Sequence, residues 1–518
     1  MRCDPEKSKG VVSSATPEAS EAGVQVLREG GNAVDAAVAV SFVLGVTEPA
    51  GSGIGGQSTL IMQVPYHMPA VINGTSHSPK ATQTDFPISE IARHKASTVP
   101  TTIRTMEFAW ERYGSGKISW ERLVAPAVEY ARNGYPLGEF RHKALMRYHN
   151  FLKKEATVKP LLLNPDGSVP TVGTVVKNEF LADTLERIGK KGAIDFYSGE
   201  IANLIARDME ANNGWISIDD LKEVRQPSIM PALNGSYRSW HVASLPPPAS
   251  GWAVIMALNF LETADKRILE TNPVSRTLWM VKALRTVHRH RLYSPIQNLV
   301  HFEDSVHKKI SKERAERLAA SFRKLEHGET THFSIVDRDH MAVGVTQSLN
   351  AYYGARVASP ELGFLYNSYM QEFVSGHRNN PFALNPNAMP YSSMSASILS
   401  KDFVPKLVLG SPANERIISA VIQVISHWVD VEQGIEAAVN APRIHTGSDE
   451  EIMIETLPDD TRILLALEKR GYTLYQPLSS LFTKVLNPYF GGVHAIAYEN
   501  SIWKGAADAR RDGCVAYE

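Results

Sequence analysis

Thr330 and Thr331 follow a charged, helix-like segment and open a run of strand character: His332, Phe333, Ser334, Ile335, Val336. The polar set Asp337, Arg338, Asp339, His340 interrupts it, and Ala342, Val343, Gly344, Val345, Thr346 resume it. Two β-type runs about a polar turn predict a hairpin. By β-propensity a threonine that opens a strand is an ordinary strand residue. It can also be a nucleophile, on one condition. The hydroxyl is weak and needs a base beside it. If the peptide bond before Thr330 is cut, the new α-amino group lies within one residue's reach of Oγ1 and takes its proton. An α-amine titrates at about pH 8, so much of it is free base close to neutral pH. A strand start would hold such a nucleophile rigidly at the edge of a sheet.

The elements around this hairpin are legible in part. Val11 to Ala15 predicts a strand closed by Thr16 and Pro17, and Pro17 to Gly30 a helix. Asn32 caps a further helix whose small residues Ala33, Ala36 and Ala37 permit close packing, so GGNAVDAA reads as structural. Pro49 to Gly56 is glycine-rich before a strand at Thr59 to Val64. No Lys-Ser/Thr pair follows, so it is not a phosphate loop, and its glycines are expected to bring backbone close to backbone or to the site. Thr98 to Pro136 reads as helical, punctuated at Tyr113-Gly114 and Pro126, and Leu181 to Asn213 holds more helix. Ser217, Asp219 and Asp220 mark a helix start, the acids being cap and first-turn charge instead of a catalytic pair. His288, Arg289, His290 and Arg291 invite a metal or phosphate reading. Residues two apart on a helix face different ways, and no Cys or acid cluster accompanies them, so no metal is expected. Ser305 to Lys324 reads as a solvated amphipathic helix leading to the cut, whose end, His327-Gly328-Glu329, would have to move away afterwards.

With 518 residues the chain is long enough for several domains or one large α/β body, and 43% hydrophobic and 21% charged residues are ordinary for a soluble globular protein. Its net charge of −1 gives no whole-protein argument for a nucleic-acid or membrane partner. Two cysteines, Cys3 and Cys514, exclude a disulfide framework and leave a single bridge between them open. The N-terminus lacks an apolar signal core, and no run reaches the roughly 18 apolar residues of a membrane span, so a cytoplasmic location is expected.

The run Thr330-Thr331-His332-Phe333-Ser334 resembles the T-T-H-[FY]-S motif of the γ-glutamyltranspeptidase family of N-terminal-nucleophile hydrolases. The resemblance extends over nearly the whole chain, through GGNAVDAA at Gly30–Ala37, GSGIGG at Gly51–Gly56, APA at Ala125–Ala127 and PPPASG at Pro246–Gly251. It continues through SSMS at Ser392–Ser395, GSP at Gly410–Pro412, NAPR at Asn440–Arg443 and FGGV at Phe490–Val493. The fold it implies is a four-layer αββα sandwich. The chain would cut itself before Thr330 into a large segment, 1–329, and a small one, 330–518, intertwined as one domain and a heterodimer of its own fragments.

The resemblance also assigns roles. Thr330 would be the nucleophile, its freed amine the base, and Ser348 the supporting hydroxyl. Asn350 would bind polar groups of the substrate. Tyr369 and Glu372 stand where the family has a Gln and an Asp that hold the glutamyl amino group. Ser392 and Ser393 match the serine pair that helps bind the α-carboxylate. The oxyanion amides would come from Ala413 and Asn414, where the family has Gly-Gly, and the side chains put the backbone conformation in question. Family members carry an Arg for the α-carboxylate between Val71 and Thr82. This chain has none, and Thr75 or His77 stands in its place, His77 serving only if protonated. Arg416 and Arg511 match arginines of the capsule-depolymerase branch and are candidates to replace it. The implied activity is hydrolysis or acyl transfer from glutathione-type γ-glutamyl amides to water or an amine, with no cofactor. One alternative keeps the nucleophile and changes the substrate. The other is an unprocessed, non-catalytic scaffold, against which the intact Thr330, Ser348 and Asn350 argue.

Overall fold

Each central strand alternates its side chains between two cores, and this alternation builds the layers. In the strand Val11–Ser14, Val12 enters one core and Val11 the opposite one. Leu60 and Met62 share the side of Val12, while Ile61 points the other way. Phe333, Ile335, Val343 and Val345 join the first set, and Val336 and Ala342 the second. A second sheet repeats the pattern: Ile398, Val408 and Ile496 meet the first sheet in the shared core, and Leu399, Leu407 and Leu409 turn outward. Helices cover both outer faces. The result is a four-layer αββα sandwich with one core between the sheets and one under each helical layer.

This computed structural model describes residues 9–293, 296, 299, 302–312, 329–374, 380–447, 451–456, 460–477 and 486–518. The first sheet runs Cys514–Tyr517, Val11–Ser14, Glu329–Val336, Ala342–Asn350, Gln57–Gln63, Ala70–Gly74, Ser228–Pro231, all antiparallel. The second runs Ile502–Ala507, His494–Glu499, Val404–Gly410, Ser397–Lys401, Trp240–Ser244, Leu233–Tyr237, also antiparallel. Both sheets draw strands from either side of Thr330, and the hairpin occupies the middle of the first.

The expected elements are present with adjusted ends. The hairpin's second strand continues to Asn350, and the strand after the glycines is Gln57–Gln63. Asn32 caps the helix Ala33–Thr47 in a reciprocal box with Asp35, and Ser217 does the same with Asp220. Pro126 does not punctuate: it lies inside the helix Trp120–Asn133, whose buried face of Leu123, Val124, Ala127 and Ala131 packs on the first sheet's core. Of the segment 305–324, the described part includes the helix Glu303–Lys309; residues 313–328 and Cys3 lie outside the described residues. Among the described residues no cluster of three or more His, Cys, Asp and Glu is placed to hold a metal ion, and no helix is long and apolar enough to cross a membrane.

Candidate active site

Thr331 pairs across the hairpin with Gln347, and Glu329 with Asn350. Thr330 alone therefore faces both Ser348 and Leu349, a β-bulge, which is a device that re-aims side chains. Here it turns Ser348 onto the peptide bond before Thr330. Ser348 Oγ donates to the carbonyl oxygen of Glu329 at 2.8 Å and accepts from the Asn350 amide at 2.7 Å. Thr330 Oγ1 lies 3.4 Å from Ser348 Oγ. The glycine turn presses on both strands: a Cβ at Gly56 would lie 2.3 Å from the Ser348 carbonyl oxygen, and one at Gly51 3.1 Å from that of Thr330. Thr330 does not open its strand, because Glu329 precedes it as a buried strand residue. At 4% exposure, Thr330 is closed to any external substrate in the uncut chain. The nearby His332 is a neutral structural group. Burial holds its ring well below the usual range, and it contacts Thr346 and Ser334 hydroxyls at 2.9 and 3.1 Å.

The Glu329 side chain is anchored. Its Oε1 accepts from Arg511 Nη2 at 2.6 Å, and the same guanidinium lies 3.8 Å from Glu48. Two carboxylates thus share one cation in the interior. Burial pushes the Glu48 carboxyl up to about 7, the Glu329 charge adds to this, and Arg511 offsets it only in part. A carboxyl held above its unfolded value favours folding below pH 4.5 or so, and that contribution is lost as the pH rises through about 7. At about 1.4 kcal/mol per unit the loss is on the order of 3 kcal/mol. In a Thr330→Ala background, Glu48→Gln is therefore expected to flatten the stability-against-pH curve between pH 5 and 8. Urea unfolding at the two pH values checks it; equal losses in both proteins contradict it.

Asn350 lies in the left-handed region at φ 77° and donates to the Ser368 carbonyl at 3.1 Å. It also hydrogen-bonds the half-buried Glu372, whose carboxyl burial pushes up while Asn350 and the charge of Arg291 pull it back. Tyr369 is buried, and its hydroxyl reaches Ser348, Gln57 and Ser392. Gln57 in turn accepts from the amide and hydroxyl of Ser76, each at 2.7 Å. The PPPASG turn clasps the serine pair: Ser250 Oγ donates to the Ser392 carbonyl at 2.7 Å, and the Ser392 amide to that of Pro248 at 3.2 Å. Ser393 Oγ donates to Asn414 Oδ1 at 2.8 Å. Ala413 and Asn414 adopt φ of 90° and 46°, so this turn keeps the left-handed backbone without glycine. Such strain persists only where the surroundings hold it. Both amides precede the first turn of the helix Arg416–Val429.

The cations fall in unexpected places. Thr75 is buried and bonded to Asn73 Oδ1 at 2.6 Å. His77 does not offer a positive charge: burial, with the Arg225 charge, pushes it down to about 4, so it is neutral at neutral pH. Arg416 lies over the Tyr489 ring and donates to the Tyr489 carbonyl at 3.0 Å. Arg511 is held by Glu329. The cation on the serine pair is Arg291, from the end of the helix Pro273–Tyr293: it donates to Ser393 Oγ at 2.9 Å and Tyr391 Oη at 2.6 Å. Reading His288 to Arg291 only as a metal or phosphate motif hid it. His288 of that run is buried, with its Nε2 3.4 Å from the Ser419 hydroxyl and its ring beside His445. Glu48 and Gln57 carried no sequence signal at all.

The model of the gamma-glutamyltranspeptidase family matches residues 19–518. The chain is 31% identical over 492 residues to the glutathione hydrolase proenzyme of Escherichia coli strain K12, covering 88% of this chain and 82% of that one. It is 30% identical over 547 residues to that of Pseudomonas sp. strain A14, covering 98% and 94%. Its fold is similar to cephalosporin acylase from Bacillus halodurans, with a TM-score of 0.87 at 24% identity over 99% of this chain and 96% of that one. Against Helicobacter pylori gamma-glutamyltranspeptidase the TM-score is 0.55 at 30% identity, covering 59% of this chain and 89% of that one. With a threonine hydroxyl, a serine hydroxyl and the preceding carbonyl brought together in an αββα sandwich, these matches converge: the chain belongs to the gamma-glutamyltranspeptidase family of hydrolases and transferases.

Proposed function

We propose that the chain cuts itself before Thr330 and then works as a threonine-nucleophile hydrolase or transpeptidase on γ-glutamyl amides of the glutathione type. The observation that carries this is the contact of Ser348 with the Glu329 carbonyl, beside Thr330 Oγ1. In the cutting step Thr330 Oγ1 attacks the Glu329 carbonyl carbon, and the Ser348 hydroxyl stabilises the negative oxygen. The C–N bond breaks as the proton passes to the Thr330 nitrogen, leaving an ester. Water hydrolyses that ester and frees a Glu329 carboxylate and the Thr330 amine. The amine is then the base for attack on the substrate amide, and the acyl ester on Thr330 passes to water or an amine acceptor. Segments 1–329 and 330–518 remain together as an intertwined heterodimer, since each sheet needs strands from both. Asn350, Glu372 and Tyr369 are the groups for the substrate's amino end, Ser392 and Ser393 those for its carboxylate, and the Ala413 and Asn414 amides the oxyanion donors. The chemistry uses no cofactor.

A second reading keeps this nucleophile and changes the donor. It rests on Tyr369, a bulky residue buried against Ser348, and on the neutral groups at Thr75 and His77. One experiment addresses both readings. The purified chain is expected to run as two fragments on a denaturing gel and to release the anilide from a γ-glutamyl anilide. Two fragments with no release favour the changed donor, and a single band sinks the enzyme proposal.

A further inference from the structure

We infer that Arg291 is the residue that binds the substrate's carboxylate, so that the site selects acyl donors with an anionic carboxylate at the end remote from the scissile amide. This rests on the γ-glutamyl reading above and adds to it a residue for the charge missing between Val71 and Thr82.

Arg291 is nine-tenths buried, with 8% of its surface exposed. A guanidinium there cannot shed its charge, so it must meet acceptors or an anion. The described groups satisfy it incompletely. Its Nε donates to Tyr391 Oη and its Nη2 to Ser393 Oγ. Its Nη1 is in an ion pair with the buried Glu415 carboxylate, 3.7 Å from Oε1, too long for a hydrogen bond, and it makes no hydrogen bond among the described residues. The guanidinium also stacks over the Tyr391 ring at 4.9 Å, which fixes its plane. A planar fork held in place with a donor left over is the geometry a carboxylate fills.

The surroundings say where that carboxylate belongs. Ser393 Oγ accepts from Arg291 and donates to Asn414, so the cation is one hydroxyl away from the strained turn of Ala413 and Asn414. On the other side Arg291 feels the charge of Glu372, and Glu372 is bonded to Asn350, whose amide donates to Ser348. The cation therefore leads through Ser393 to the Ala413–Asn414 turn, and the anion leads through Asn350 to the Ser348 hydroxyl beside Thr330. An α-amino acid end carries one charge of each sign and complements both.

Three anilides separate the charges in the processed enzyme. γ-Glutamyl anilide carries carboxylate and amine, glutaryl anilide only the carboxylate, and 4-aminobutyryl anilide only the amine. Arg291→Gln is expected to lower kcat/KM about 100-fold on the first two, mainly through KM, and to change the third by no more than a few-fold. Arg291→Lys keeps the charge without the fork and should show the same selectivity with a smaller loss. It carries the test if Arg291→Gln does not fold. Equal losses on all three anilides would mean that Arg291 only holds Tyr391 and Ser393 in place, and the inference falls. If processed wild type turns over none of the three, the γ-glutamyl reading fails and takes this inference with it.

Discussion

Thr330→Ala is expected to leave the protein as one uncut chain of 57.1 kDa with no anilide-releasing activity. Peptide bonds do not break on their own over the life of a preparation, so cleavage at one bond requires a group that lowers its barrier by many kcal/mol. The Thr330 hydroxyl is that group in the proposed N→O shift, and alanine offers no atom to receive the acyl chain. Loss should be complete, because Ser348 alone can polarise the Glu329 carbonyl but is not placed to replace the hydroxyl on the next residue. Thr331→Ala, by contrast, should still give two fragments, since the proposed cut lies before Thr330 and Thr331 pairs with Gln347 within the hairpin. A denaturing gel and the mass of each band check both variants. Two fragments of normal size from Thr330→Ala would end the assignment of the nucleophile.

The second large effect is expected at Ser348. Its hydroxyl donates to the oxygen that becomes negative when the Glu329 carbonyl is attacked. Deleting one such donor typically costs ~100- to 1,000-fold in rate. Ser348→Ala should therefore mature that much more slowly and, once processed, lose at least about 100-fold in turnover. Stability should fall by only about 1–3 kcal/mol, the cost of leaving buried partners of the hydroxyl unpaired, because the backbone pairing of Ser348 with Gln57 remains. Ser348→Thr retains the hydroxyl and is expected to restore much of both rates. The measurements are a maturation time course, kcat, and a melting curve. Normal rates in Ser348→Ala would remove Ser348 from the site, and a collapse of stability with the rates would make it structural.

Much of the fold could be read from the chain because it is written in short-range patterns. The helix starts at Asn32 and Ser217 need only their own side chains and those three residues on. The hairpin needs only alternation about Asp337 to His340. A proline at 126 was misread because its effect depends on the face it sits beside, and the buried side of Trp120–Asn133 holds that helix together. The left-handed turn at Ala413 and Asn414 looked doubtful for a comparable reason. Propensity disfavours it, and the surrounding structure imposes it.

For the site, the sequence by itself determined which groups were available: Thr330, Ser348 and Asn350 on one hairpin, Glu372, and the serines 392 and 393. It also determined that the segment Val71 to Thr82 holds no arginine. Only the tertiary structure decided what those groups do to one another. The bulge that lays Ser348 on the Glu329 carbonyl depends on pairing at the end of a strand. The neutrality of His77 depends on burial, which no local pattern reports. Arg511 meets Glu329 across 182 residues, and Arg291 meets Ser393 across 102. Hydrophobic periodicity marks a buried face but does not say which charge crosses the core to which partner. That choice is made by the packing of two sheets and their helices, and it places the cation on the serine pair at Arg291.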